Sequence, residues 1–543
     1  RMGRVVGQEV IQRRRVEGTL PGGQGAFHQH FRAIADHRHH LRTVEGRQAA
    51  CCHQAVEGGV QVGRAVHQRP VQVEDGQSGH ATGDRLPAAV RQDGALAGEA
   101  GADYAGGMTT AAIILAAGLG TRMRSALPKV LHPVAGKPAL RHLIDTAEAV
   151  FDRCVIVVGP DMPAVERVAA PHATVLQAER LGTGHATLQA ASALADHDGD
   201  ATVLYGDNAL ITAETMRRLR AAREGAGLVL LAMRPEDPLR YGRLITDATG
   251  AVMRIVEWAD ASEAERAIRL CNAGVVSAPA RDLFRWLRRV RNDNAKGEYY
   301  LTDIVAIAAA EGVRVAAVEA PATEVLGIDS RAQLAMAEAE MQGRLRRAAM
   351  EGGATLIQPE SVVFSHDTRL GQDVTIGPNV VFAPGVVVED EVEIRAFSHL
   401  EGCVVKRGAV IGPFARLRPG TVIEQGAHVG NFVELKAAVL GAGAKANHLS
   451  YLGDAEIGAG ANIGAGTITC NYDGVNKHRT VIGAGAFIGS DTALVAPVRV
   501  GARALVGAGS VITEDVPDDA LAIARGRQAN KAGRGFKGKT PKG

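Results

Sequence analysis

Cysteine is scarce in this chain, and what there is forms no pattern. Its six residues, Cys51 beside Cys52 and then Cys154, Cys271, Cys403 and Cys470 far apart, contain no C-x-x-C pair. That excludes a disulfide framework and a cysteine zinc site and fits a reducing, cytoplasmic compartment. Long apolar runs are missing too: no stretch reaches about 18 consecutive apolar residues, and the first 30 residues lack a charged-then-apolar secretory pattern. The expectation is a protein without a membrane-spanning helix or an export signal. Charge of one sign is not in excess, with 61 Lys and Arg against 59 Asp and Glu. No whole-chain electrostatic case for nucleic acid or a membrane surface can be made, so any anion site must be local. Aromatic residues make up only 4% of the 543 positions, whereas glycine reaches 65, well above its usual share of about 7%. Some part of this architecture needs tight repeated turns more than bulky packing. The length itself predicts two to four domains.

Residues 1–107 contain no lysine but eight of the 18 histidines, and no sustained apolar period. The cluster of His28, His30, His37, His39 and His40 is too irregular for a metal tract, and a solvated segment is the favoured reading. Met108 opens the first orderly strand. The expectation is that 1–107 is an upstream extension outside the working protein, with the product starting near Met108.

From Thr110 apolar strands at 112–117, 155–158 and 201–204 alternate with helical stretches such as 141–150. This alternation predicts an α/β domain over 108–330, built on a parallel sheet covered on both faces. Residues 331–352, rich in Ala, Glu, Gln, Leu and Arg, predict one long exposed linker helix. Beyond 353 aliphatic or aromatic residues recur six apart, at Leu370, Ile376, Phe382, Val388, Ile394 and Leu400. The period returns at Ile411, Leu417, Ile423, Val429 and Leu435, and again from Ile482 through Ile488, Leu494, Val500 and Val506 to Ile512. Glycine often follows directly, as in Ile376-Gly377 and Ile488-Gly489. A hexapeptide repeat of this length predicts a parallel β-helix over 353–543, one short strand and one turn per hexad, ending in a basic tail.

Chemistry enters at Leu115-Ala116-Ala117-Gly118-Leu119-Gly120-Thr121-Arg122-Met123. Its glycines let backbone N–H groups approach an anion, but Met123 stands where a dinucleotide fingerprint needs glycine, and no Gly-Lys-Ser/Thr follows. Arg122 and Lys129, in Leu127-Pro128-Lys129, are close enough in sequence to converge on a phosphate, or to form a solvated basic loop.

Together with Gln177-Ala178-Glu179, Leu181-Gly182-Thr183-Gly184-His185 and Tyr205-Gly206-Asp207, these segments resemble the sugar-phosphate nucleotidyltransferases. Joined to a hexapeptide helix, they resemble the bacterial bifunctional N-acetylglucosamine-1-phosphate uridyltransferase/glucosamine-1-phosphate acetyltransferase family, from about Met108 to Arg525. The resemblance implies a Rossmann-like nucleotidyltransferase domain followed by a left-handed parallel β-helix, assembled as a homotrimer with acetyl-transfer sites between subunits. It implies that Leu115, Ala116, Ala117, Gly118, Lys129, Gln177, Gly182 and Thr183 hold the nucleotide and its phosphates. Tyr205, Gly206, Gly242, Glu257 and Asn272 would line the sugar-nucleotide pocket. Asp207 follows the apolar run Val203-Leu204, at a strand end where ligands of open α/β sheets gather and an oxygen ligand suits Mg²⁺; a turn-capping Asp would look the same. The second metal ligand of the family is asparagine, and this chain reads Gly327-Ile328-Asp329 there. Arg122 and Lys129 would stabilise charge on the leaving pyrophosphate.

In the repeat, polar residues crowd around Arg416-Leu417-Arg418, Lys436 and Lys445-Ala446-Asn447-His448-Leu449-Ser450-Tyr451. Acetylating an amine requires its neutral form, so a base titrating near neutrality is useful, and His448, matching the family motif, is the candidate. His428 and His478 read as ordinary polar turn residues. By resemblance Arg418, Lys436, Tyr451 and Asn462 hold glucosamine-1-phosphate, and Ala465, Asn471, Tyr472, Ser490, Ala508 and Arg525 contact acetyl-CoA. The break in the hexads from Thr467 to Thr480 reads as an extruded functional loop.

The implied enzyme is cytoplasmic. It uses Mg²⁺, takes acetyl-CoA, UTP, glucosamine-1-phosphate and N-acetylglucosamine-1-phosphate as substrates, and has no nucleic-acid partner or membrane span. Two other readings stand beside it: a nucleotidyltransferase of different sugar specificity whose repeat domain only regulates, and a trimeric scaffold that binds a nucleotide without turnover.

Overall fold

The structure is a computed structural model and describes residues 109–238 and 240–535. The expectations for 1–107, the histidine cluster included, and for the tail from 536 lie outside the described residues.

Seven strands, β1 (Thr110–Leu115), β2 (Arg153–Val158), β3 (Ala173–Leu176), β4 (Asp200–Tyr205), β5 (Leu228–Met233), β6 (Cys271–Pro279) and β7 (Val315–Glu319), lie in the order β7-β5-β6-β4-β1-β2-β3. Successive side chains of a strand point to opposite faces, and β1 shows the result. Ala112 and Ile114 join the core under the helices Ala139–Glu148, Pro163–Ala169 and Ala213–Ala221. Ala111 and Ile113 join the opposite core, under Thr183–Gln189, Ala280–Leu287 and Asp303–Ala310. One expectation needs correcting, because β6 runs antiparallel to both β4 and β5 while the other neighbours are parallel. After β5 the chain makes a hairpin, Arg243–Thr246 against Val252–Val256, instead of a crossover helix, and so re-enters the sheet from the end it left.

A helix at Arg331–Glu351, capped by the Ser330 side chain, leads from this domain to the repeats. There the strands stack into three parallel sheets of ten, eight and eight strands, the faces of a left-handed parallel β-helix. Thr375 pairs with Glu393 and Ile376 with Ile394, so three hexads make one coil and every inward aliphatic residue sits on its counterpart a coil away. Ile376, Ile394, Ile411 and Val429 are almost fully buried in this way. Small residues keep the coils close: a Cβ added to Gly489 would lie 2.4 Å from the Ala508 nitrogen. The longer coil between paired Ala455 and Thr480 extrudes a hairpin closed by a Tyr472–Lys477 bridge.

Candidate active sites

At the carboxyl ends of β1 and β4, where open α/β sheets bind ligands, a cavity of about 480 Å³ opens. Its centre is a chain of ion pairs. The Lys129 ammonium lies 2.6 Å from Asp207 Oδ2 and 2.9 Å from Asp329 Oδ1, and Arg122 lies 2.8 Å from Asp329 Oδ2. Asp207 reaches this point from the end of β4, and Asp329 from the residue before the cap of the long helix. A hydrogen bond of 3.3 Å from the Ile328 nitrogen to the Asp207 carbonyl ties the two segments together. Burial opposes the charge on Lys129, but the two carboxylates outweigh it and hold the ammonium above the usual lysine range. Burial likewise opposes the Asp329 charge, and Lys129 with Arg122 overcomes it, keeping the carboxyl below its ordinary value.

Most of the expected residues meet here: Leu115, Ala117, Gly118, Gln177, Gly182, Thr183, Tyr205, Gly242, Glu257 and Asn272 all line the cavity with Arg122, Lys129, Asp207 and Asp329. Ala116 and Gly206 do not. They form the layer beneath, Ala116 bonding to Val157 and Gly206 to Leu115 through the backbone. Gln177 donates to the Gly182 carbonyl at 3.1 Å, and Thr183 Oγ1 accepts from the Leu301 nitrogen at 3.0 Å, which shapes the far wall. Burial pushes the Glu257 carboxyl up and, with Glu257 beside it, the Tyr205 phenol up to about 12. Gly274, with φ of +84°, lets the Tyr205 ring in, because a Cβ there would lie 2.1 Å from it. Sequence reasoning missed Arg180, Asn208, Arg240, Tyr241, Gly274 and Glu298, which also line the cavity.

The donor set suits a hard divalent cation. Asp207 Oδ2 and Asp329 Oδ1 reach one point, now spanned by Lys129, within 3 Å, and such cations take carboxylate oxygens and complete their shell with phosphate and water.

In the repeat domain His448 stands exposed at the end of the strand Lys445–His448, its Nδ1 2.7 Å from Asn431 Oδ1 on the preceding coil. A carboxamide oxygen only accepts, so Nδ1 carries the proton and Nε2 is left as the basic nitrogen. The hollow of about 270 Å³ beside it is lined by Arg395, His428, Asn431 and Asn447 among others. Burial, then Arg395 and Lys445, hold the His428 imidazole below its usual range. Asn462 shares the His448 sheet, paired with Lys445. Lys436 and Tyr451 belong to a different sheet, where Glu434 pairs with Tyr451 and Lys436 with Gly453. Arg418, one residue beyond that sheet's Arg416–Leu417 strand, bonds Glu434 at 2.9 Å. Lys436 also sits beside Lys477 of the extruded hairpin, whose ammonium it holds below the usual lysine range. One chain therefore presents the expected acetyl-transfer residues on two faces rather than in one pocket.

The remaining group forms a ladder along one corner. Ala465 accepts from the Asp491 nitrogen at 2.7 Å, Ser490 from the Gly509 nitrogen at 2.8 Å, and Ala508 from Arg525 at 2.6 Å. Asn471, buried, donates to Asp454, while Tyr472 beside it is exposed.

A cavity with paired carboxylates bridged by cations at the strand ends of an α/β sheet, joined to a hexapeptide prism, defines a two-domain transferase of the nucleotidyltransferase and acyltransferase classes. The comparisons with known proteins agree. Residues 112–349 match the MobA-like NTP transferase domain, and 367–402 and 479–514 match the bacterial transferase hexapeptide of six repeats. The chain is 64% identical to the bifunctional protein GlmU of Gluconacetobacter diazotrophicus, over 78% of this chain and 93% of that one. It is 63% identical to that of Acidiphilium cryptum, over 80% and 100%, and 58% identical to that of Paramagnetospirillum magneticum, over 78% and 95%. The chain belongs to the bifunctional protein GlmU family.

Proposed function

We propose that the two domains run successive steps of UDP-N-acetylglucosamine synthesis. On the prism, acetyl-CoA and glucosamine-1-phosphate give N-acetylglucosamine-1-phosphate. In the sheet domain, that product and UTP give UDP-N-acetylglucosamine and pyrophosphate. The observation that carries the uridyl-transfer assignment is the Lys129 ammonium held between Asp207 and Asp329 on the cavity floor.

An oxygen of the sugar phosphate attacks the α-phosphorus of UTP as the bond to the β-phosphate oxygen breaks, so the protein's part is positioning and charge compensation. Leu115, Ala117, Gly118, Gln177, Gly182 and Thr183 hold the nucleotide, while Tyr205, Gly242, Glu257 and Asn272 hold the sugar, and Ala116 and Gly206 back them from the layer beneath. Arg122 and Lys129 leave their carboxylates for the phosphates. Asp207 and Asp329 would hold Mg²⁺, which when bound neutralises charge on the phosphate oxygens.

In acetyl transfer His448 Nε2 takes the proton from the sugar ammonium. The amine then attacks the thioester carbonyl, and coenzyme A leaves as its thiol. Arg418, Lys436, Tyr451 and Asn462 hold the sugar phosphate; Ala465, Asn471, Tyr472, Ser490, Ala508 and Arg525 hold acetyl-CoA. The split of these residues over two faces supports a site completed by a neighbouring copy, hence the homotrimer. Buried free thiols at Cys154, Cys271 and Cys403 support a cytoplasmic enzyme. Among the described residues no helix is long and apolar enough to cross a membrane.

The test is pyrophosphate release by the full chain from glucosamine-1-phosphate, UTP and Mg²⁺, with and without acetyl-CoA. Release that requires acetyl-CoA is expected. His448→Ala should abolish acetyl transfer with uridyl transfer intact, and Asp207→Ala the reverse; loss of both activities in either folded variant would refute the division.

A further inference from the structure

Four cations line the first cavity: Arg122, Lys129, Arg180 and Arg240. Three of them are bonded to the chain itself. Arg122 and Lys129 meet carboxylates, and Arg180 donates to the Ala117 carbonyl at 2.7 Å. Arg240 differs. Its guanidinium carbon lies 4.9 Å from the centroid of the Trp258 ring, and among the described residues no acceptor takes its N–H groups. A guanidinium stacked on an indole keeps its donors in the plane of the stack, free for a ligand, while its own rotamers are already restricted. The platform is itself fixed: Arg266 lies 4.3 Å from the centroid of the same ring and donates to the Trp258 carbonyl at 3.3 Å.

Position says which ligand group Arg240 faces. It directly precedes Tyr241 and Gly242, and both continue the cavity wall. A Cβ on Gly242 would stand 3.5 Å from Glu257 Oε1, so this segment borders the Glu257 and Asn272 end. Its other neighbour is the carboxylate pair, whose charges raise the Tyr241 phenol after burial has done so. The Arg240 to Gly242 segment thus runs between the Glu257 wall, read as the sugar end, and the carboxylate pair. An acceptor reaching this place carries a phosphate with nearly two negative charges near neutral pH, and it must approach a nucleotide that is also an anion. A pre-oriented cation with unspent donors on that path offsets the repulsion.

We infer that Arg240, stacked on Trp258, receives the phosphate of the incoming sugar 1-phosphate and so sets the affinity for the acceptor in uridyl transfer. This rests on the uridyl-transfer reading above. Arg240 makes no bond and moves no proton; it binds.

The experiment is steady-state uridyl transfer by the full-length chain with N-acetylglucosamine-1-phosphate, UTP and Mg²⁺ at about 20 mM salt, where a surface charge contact is poorly screened. Wild-type turnover comes first, since its absence would sink the uridyl-transfer reading and not this inference. In Arg240→Ala, KM for the sugar phosphate is expected to rise about tenfold, as for loss of one charge-assisted contact. The UTP KM and kcat should stay within about twofold. Arg240→Lys keeps the charge without the stacked fork and should fall between, and Trp258→Leu should move the same KM in the same direction. Raising salt to about 0.3 M should shrink the difference. Acetyl transfer measured on each variant reports folding and should not change. An unchanged sugar-phosphate KM in Arg240→Ala, or a rise confined to the UTP KM, overturns the proposal.

Discussion

Arg331 donates through Nε to the carbonyl oxygen of Met123 at 3.2 Å, the residue that follows Arg122. Its Nη1 lies 3.3 Å from Nδ1 of His132, three residues beyond Lys129. His132 is buried, and burial, then Arg331, holds its imidazole below the usual range, so it stays neutral and accepts. One side chain on the first turn of the linker helix therefore fastens both segments that carry these cations. Asp329, two residues earlier, pairs with both of those cations. Loosening this clamp lets Arg122 and Lys129 drift, and misplacement of about 1 Å is costly to a reaction that depends on positioning. Arg331→Ala should lower kcat for uridyl transfer by about tenfold and leave acetyl transfer unchanged. Arg331→Lys, able to make one of the two contacts, should fall between. Parallel assays of pyrophosphate and coenzyme A release check this, and an equal fall in both activities would contradict it.

Asp303 opens the helix Asp303–Ala310 and lies near Glu257 of the cavity wall. Burial, then Glu257 and Asp260, pushes its carboxyl from 3.8 up to about 6. Between those values the folded state binds more protons than the unfolded chain, so stability is highest below the window and declines as pH rises through it. Asp303→Asn keeps the shape without the charge and escapes that decline. Asp303 is only half-buried, so solvent reduces the effect to about 1 kcal/mol, or about 2–4 °C for a domain of this size. The melting temperature of Asp303→Asn relative to wild type should climb by that amount from pH 4 to 7 and then level off. A difference independent of pH would show that the carboxyl is not strained.

The prism was readable from the chain because its core accepts one residue per hexad, so packing imposes a strict period on Ile376, Phe382, Val388 and those that follow. The sheet was readable as strands and helices but not in direction. Apolar runs report burial on both faces, and β6 is as apolar running backward as forward. Asp207 and the glycine loop were legible because they follow strand ends, and Lys129 because it lies close in sequence to Arg122. Arg240, Asn208 and Glu298 come from loops remote in sequence, and only the tertiary fold brings them to the cavity. Asn431 carried a signal of another kind: it lies one coil before His448, a spacing that places it against the imidazole once the repeat is known.

Phe397, Phe414 and Phe432 stack on successive coils, with ring centroids 4.9 and 5.2 Å apart. Each sits at a turn with positive φ, a costly conformation for a bulky residue, and each remains about half exposed, at 52%, 45% and 55%. Leu449, 62% exposed and adjacent to His448, continues the column. Covering such side chains is worth about 1.5–3 kcal/mol apiece, and a second copy of the prism, with its own regular apolar column, can cover them all. Copies meeting here would enclose His448 and bring the Arg418, Lys436 and Tyr451 face of a neighbour toward it. Phe414→Glu puts a charge in the middle of the column, where burial without a partner is prohibitive. The variant should sediment as a monomer and lose acetyl transfer while uridyl transfer stays within about twofold. Sedimentation velocity with both assays decides: a trimer with full acetyl transfer would mean that the column faces solvent in the working enzyme and that the two faces close on each other some other way.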